Sequence, residues 1–160
     1  MRAETLLIDR TLAIARVDWA PSHRQPSVVR LGVATVLAII GSLAADAIVV
    51  AIGTHVFSGT AGYEHFRFND YAKLTIIGVL VGAAGWPVLT HISSAPRWLY
   101  GWLTILISLG LFLPDAWLLV RGQPPKDVAV LMAMHVAVAV VIYCTMVFVA
   151  PVRGVRGRRT

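Results

Sequence analysis

The chain has 160 residues, 58% of them hydrophobic and only 14% charged, with 14 Lys and Arg against 8 Asp and Glu for a formal net charge of +6. A soluble domain carries roughly 25% charged residues, so this is the composition of one membrane-embedded domain, and its basic excess suits anionic lipid headgroups rather than nucleic acid. The single cysteine, Cys144, excludes an internal disulfide and any paired-thiol redox or metal chemistry.

Residues 1–27 read as a polar, amphipathic leader. Ile8, Leu12, Ala15 and Trp19 recur at helical spacing with Asp9, Arg10, Arg16 and Asp18 elsewhere on the wheel. That pattern predicts a short helix lying on the headgroups and stopped by Pro21. Four apolar segments follow, 28–52, 71–92, 99–120 and 127–150, each long enough for the roughly 20 residues of a helical crossing. The first is too long for the apolar core of a signal peptide and is expected to be retained. The predicted fold is an all-α bundle of four transmembrane helices over 28–150, followed by a basic tail, 151–160. An even number of crossings puts both termini on one side. Of the 14 Lys and Arg, only Arg67, Lys73, Arg121 and Lys126 fall on the other side, which predicts cytoplasmic termini. Trp98, Tyr100 and Trp102 then mark the inner interface, and Tyr63, Phe66, Phe68, Tyr71 and Trp117 the outer one.

Asp46, in GSLAADAIVVAIG, is an ionisable group inside the first apolar segment. At 1.5 Å per residue it lies roughly 9 Å beyond the midpoint of its span; Asp115 in the third span lies at roughly 8 Å and His135 in the fourth at roughly 5 Å, all toward the outer face. A charge near the bilayer centre costs about 2.5 to 3.5 kcal/mol on insertion scales, so such groups should face protein or water. Asp46 continues a stripe of small residues, Ala34, Ala38 and Ser42, that would let another helix approach closely. Asp115 shares a side with Gly101, Thr104 and Ser108. Asp46, Asp115 and His135, with Ser42 and Ser108, are the candidate polar site. His135 shares its face with Leu131, Ala139, Ile142 and Met146, whereas Ala129, Ala133 and Ala137 lie opposite, so the fourth helix should meet neighbours on two sides.

Gly78, Gly82 and Gly85 in the second span form a GxxxG-containing set that predicts close helix contact. Pro87 and Pro114 each remove a helical donor, which more often yields a kink that serves packing alone; at Pro114, directly before Asp115, the alternative is a kink opening a small polar cavity. Lys73 should snorkel to the headgroups, and His91 should sit at the interface. In the loop 53–70, His55, Glu64 and His65 are ligand types for zinc, but no organising spacing accompanies them, so no metal site is expected. Alternation in YEHFRF predicts an extended or interface-hugging segment whose aromatic rings face lipid or the top of the bundle.

From the first span to the fourth, with LFLPDAWLL and the LMAMHVAVAVV run that carries His135, the chain resembles a family of small four-helix integral membrane proteins of unknown function from actinobacteria. The resemblance implies a multi-pass protein of a bacterial cytoplasmic membrane and assigns no role to any residue. No motif organises a nucleophile, metal or acid/base pair, so neither enzymatic activity nor a cofactor is expected. The leading reading is a scaffold or accessory subunit of a homo-oligomer or larger membrane complex, with the buried Asp and His residues as interhelical hydrogen-bond groups. The alternative is a small transporter or an ion- or proton-responsive protein that uses Asp46, Asp115 and His135.

Overall fold

A computed structural model describes residues 10–14, 16–17, 23–57, 59–60 and 62–154. Four helices dominate it: α1 (Val28–Val56), α2 (Phe68–Ile92), α3 (Pro96–Val120) and α4 (Pro125–Val149). All are long and apolar enough to cross a membrane, in agreement with the predicted bundle, and the chain reads as a multi-pass membrane protein. α1, α2 and α3 include and extend the apolar segments predicted for them, and α4 begins before its predicted start but ends at Val149, with Ala150 as its cap. Ser27 caps α1 by accepting from the Arg30 N–H at 3.4 Å. Pro96 and Pro125 open α3 and α4, where a missing N–H goes unused. Gly122, at φ +82°, makes the tight turn between them.

The helices run up and down in chain order, with α1 against α2 and α4, and α3 against α4 and α2. The contact of α1 with α4 is the most extensive. At one end, here the termini end, β1 (His23–Arg24) pairs antiparallel with β2 (Arg153–Gly154). The opposite, loop end carries the α1–α2 connection and the α3–α4 turn. Core packing differs between the halves. Toward the termini, Ala34, Ala38, Val79, Ala83, Trp86, Tyr100, Ile142 and Met146 belong to one apolar cluster, and Trp86 Nε1 donates to the Ala150 carbonyl at 2.8 Å. Toward the loops the buried apolar cluster contains only Tyr71, Ala72 and Met134.

Several expectations need correction. The leader helix ends at residue 14, not at Pro21: Arg16 takes a left-handed φ of +53°, and Val17 pairs with Ser93. Ile8, Ala15, Trp19 and the tail from 155 onward lie outside the described residues. Of the glycine set on α2, only Gly82 packs closely, under Ile142 and near the Tyr100 hydroxyl, while Gly78 and Gly85 face open space. A GxxxG pair places its glycines on one side but does not say which neighbour that side meets. The close approaches are instead Gly41 to Val141 and Gly53 to Val130 between α1 and α4, and Gly101 to Tyr143. Glu64–Phe66 form a 3-10 turn in place of an extended strand. Tyr63 drives this, since its ring meets both His65 and Phe66 edge-on at 5.1 Å. α2 and α3 continue helically through Pro87 and Pro114.

A Cβ at Gly53 would lie 2.6 Å from Val130 Cγ2. Gly53→Ala should therefore lower stability by about 1–3 kcal/mol through overpacking. Gly78→Ala should be neutral or slightly stabilising, since Ala is the better helix former. Unfolding of both variants in detergent micelles, followed by circular dichroism, checks the contrast.

Candidate functional site

The small-residue seam of α1 sets the position of Asp46. Ala34, Ala38, Ser42 and Asp46 recur every fourth residue and are all buried, Asp46 with 1% of its surface exposed. Residues at that spacing share a helix side, so the side that admits α4 also carries the carboxylate inward. From α2, Thr75 Oγ1 donates to Asp46 Oδ2 at 2.6 Å. Asp46 Oδ1 and the Ser42 hydroxyl, one turn away, are buried without a hydrogen-bond partner. Tyr71 on α2 and His135 on α4 lie within electrostatic reach of Asp46.

Asp115 and His135 meet across α3 and α4. Asp115 is 6% exposed, and its Oδ2 stands 3.1 Å from His135 Nδ1. The same Nδ1 lies 3.1 Å from the Leu131 carbonyl of its own helix. A carbonyl only accepts, so Nδ1 carries a hydrogen. Asp115 Oδ2 lies at the same distance from that N–H as the carbonyl does, so the two oxygens compete for one hydrogen and the carboxylate is at best half satisfied. Phe112 stands edge-on to the imidazole at 6.4 Å and helps hold the ring.

A third group lies at the loop end. Asp127, in the first turn of α4, is 3% exposed with Oδ1 unpartnered, and the buried Tyr63 hydroxyl is unpartnered as well. Tyr63 is within electrostatic reach of Asp127, Glu64 and Asp115, and His65 is within reach of Asp115. Burial first, then these carboxylates, holds the Tyr63 phenol above its usual range, so it remains a neutral O–H donor. The site is thus a sequence of polar groups from the loop end inward. Tyr63 and Asp127 come first, Asp115 with His135 next, and Asp46 with Thr75 and Ser42 deepest.

The other predicted residues fall elsewhere. Ser108 donates to the Thr104 carbonyl and Thr104 to the Tyr100 carbonyl, each at 2.8 Å, so both hydroxyls are satisfied within α3. They line an open groove of about 480 Å³ between α3 and α4 that does not reach Asp115. Ser108 therefore belongs to that groove, and the polar cavity expected beside Pro114 is not what the groove forms. Glu64 and His65 approach at 3.9 Å, His55 is exposed at the end of α1, and no group of three metal-ligating side chains forms among the described residues. Lys73 and His91 are both exposed, the latter with Nδ1 2.6 Å from the Pro87 carbonyl. Ala129 and Ala133 are exposed too, while Ala137 is half-buried, so the first two turns of the alanine side of α4 stay uncovered among the described residues.

Sequence reading missed Thr75, Tyr63 and Asp127 as site residues. Asp127 was legible as an acidic residue in the first turn of a proline-started helix, where the helix dipole favours it. Thr75 carried no such signal, because one hydroxyl in an apolar helix is ordinary until the facing helix is known.

Thr75→Val leaves both Asp46 oxygens without a donor and should cost about 1–3 kcal/mol. Adding Asp46→Leu should recover part of that loss in a double-mutant cycle, whereas Ser108→Ala should stay within about 0.5 kcal/mol of the native protein. Compared with known protein families, with curated proteins and with solved structures, the chain matches none.

Proposed function

We propose that this protein is a proton-responsive component of a bacterial cytoplasmic membrane, with both termini in the cytoplasm and its polar site open toward the outer face. The observation that carries this reading is the set of buried polar atoms with no hydrogen-bond partner: Tyr63 Oη, Asp127 Oδ1, Asp115 Oδ2, Asp46 Oδ1 and Ser42 Oγ. Groups serving only as interhelical glue would be satisfied by one another, because an unpaired polar atom in an apolar medium is costly. Oxygens held open in one half of a bundle fit ordered water and exchangeable protons. Asp115 and His135 are in contact, with Oδ2 3.1 Å from Nδ1, so a change at either is felt by the other. Within electrostatic reach of Asp115 are Tyr63 and His65 in the loop, and within reach of His135 is Asp46 on α1; Tyr71 in turn reaches Asp46, and Glu64 and Asp127 reach Tyr63.

The packing favours sensing over conduction. Below Ser42 the interior is filled by Ala38, Ala34, Val79, Trp86 and Met146, all 0% exposed, and the buried hydroxyls of Tyr100 and Thr90 donate to the backbone carbonyls of Gly82 and Pro87. Protonation would then act on helix packing, most directly by altering how α3 seats against α4 through Asp115 and His135.

A second reading, a scaffold or accessory subunit, is favoured by the exposed Ala129 and Ala133. Small residues on an unpartnered helix side allow another transmembrane helix to approach closely. The two readings are compatible if a partner receives the signal.

Infrared difference spectra of the protein in vesicles, recorded as the medium is acidified, test the proposal. The carboxylic C=O band that grows should shrink in Asp115→Asn and again in Asp46→Asn, while a pH dye inside the vesicles should show no proton flux above empty vesicles. Spectra unchanged by both substitutions, with oligomer size altered instead, would leave only the scaffold reading.

A further inference from the structure

At the termini end a groove of about 410 Å³ runs between the helical segment 10–14 and the start of α3, walled by Thr11, Ile14, Trp98, Trp102, Leu103 and Leu106. Trp98 and Trp102 stand edge-on to each other at 6.2 Å and are 40% and 50% exposed, the depth at which indole rings meet the headgroups. The rim is basic. Arg10 begins the segment, Arg16 follows its end and Arg97 precedes Trp98, all three exposed. The Arg16 guanidinium lies over the Trp98 ring, with Cζ 5.5 Å from the centroid. Among the described residues 10–14, 16–17 and 96–106 there is no Asp or Glu, while Asp9 and Asp18 lie outside the described residues.

Arg16 occupies a position where the backbone asks for glycine. Val17 N–H donates to the Leu12 carbonyl at 2.9 Å and Arg16 N–H to the Ala13 carbonyl at 3.2 Å. This pair of bonds closes a helix through a residue in the left-handed region, most often Gly because a Cβ there is strained. Arg16 takes that conformation at φ +53°. Its carbonyl accepts from Ser93 Oγ at 2.7 Å, and Val17 bridges to Ser93, which ties the segment to the α2–α3 turn. The result is a guanidinium fixed at the mouth of an apolar groove, a service glycine could not supply.

We propose that this groove seats an acyl chain of an anionic phospholipid from the leaflet at the termini end, with Arg16 and Arg10 holding the phosphate. A guanidinium matches phosphate oxygens with paired N–H donors, and the Trp98 face beneath Arg16 keeps its fork oriented. The apolar walls accept a chain that already lies in the bilayer, so the protein gives up little to admit it. Charge complementarity selects the occupant. A zwitterionic lipid fills the same walls but brings no net negative charge to the arginine rim. This site is separate from the polar groups at the loop end and does not rest on the proton reading.

Tryptophan quenching in reconstituted vesicles tests it, because bromine on a lipid chain quenches the indoles it touches. The full chain is placed in phosphatidylcholine vesicles with a minor fraction of either brominated phosphatidylglycerol or brominated phosphatidylcholine. Brominated phosphatidylglycerol should quench at the lower mole fraction, with a preference of roughly fivefold for each arginine engaged. Arg10→Ala with Arg16→Ala should bring the two lipids onto one curve, and Arg16→Lys should retain part of the preference. Trp98→Phe with Trp102→Phe should remove the phosphatidylglycerol-specific component. Equal quenching by both lipids overturns the proposal, as does a preference that survives loss of both arginines. Displacement of the lipid signal by added glycerol 3-phosphate would identify a free phosphate-ester site and would also overturn it.

Discussion

Where Gly41 meets the Val141 side chain and Gly53 the Val130 side chain, α1 and α4 pack so closely that a Cβ would crowd the valine at Gly41 and clash with it at Gly53. The seam of Ala34, Ala38 and Ser42 lies along the same approach, and Asp46 lies on it. A carboxylate on the side of a helix that faces lipid would carry the full cost of hydrocarbon. Set on the side that α4 covers, it is enclosed by protein and receives the Thr75 hydroxyl from α2. That close contact also fixes how α4 is rotated. His135 is thereby turned toward α3, where it meets Asp115, and Ala129 and Ala133 are left on the outside.

The two halves of the bundle use different physics. Toward the termini, Trp86, Met146 and Val79 fill the interior with apolar volume, and the Trp86 indole finds the Ala150 carbonyl, so nothing polar is left over. Toward the loops, carboxylates, an imidazole and hydroxyls interrupt a thin apolar cluster, and several of their oxygens remain open. A close-packed half resists rearrangement because its core has little free volume. A half held by few polar contacts can shift when one of them gains or loses a proton. This division leaves the loop end less densely packed and the termini end the tighter base of the bundle.

The base is reinforced from outside the helices. Residues 16–17 meet the α2–α3 turn at Ser93, the Gln25 side chain donates to the Thr90 carbonyl at 2.8 Å, and residues 23–24 pair with 153–154. These contacts tie both described ends of the chain to one face of the bundle. They also bring Arg16 over Trp98, so the aromatic belt and the basic rim become parts of one surface.

Hydropathy alone determined the helix number, their approximate limits and the half of the bundle in which Asp46, Asp115 and His135 lie, because each depends only on position along the chain. The burial of the Asp46 seam was legible for the same reason: its spacing places four small or polar residues on one helix side whatever that side touches. Which side meets which neighbour was not legible. Gly78 and Gly85 carry a packing motif yet face open space, while Gly41 and Gly53, with no motif between them, make the close contacts. Ser108 looked like a companion of Asp115 but is satisfied within its own helix, and the actual companions, His135 for Asp115 and Thr75 for Asp46, come from facing helices. Rotation of one helix against another is set by the fit of side chains across the interface, and only the tertiary structure contains that information.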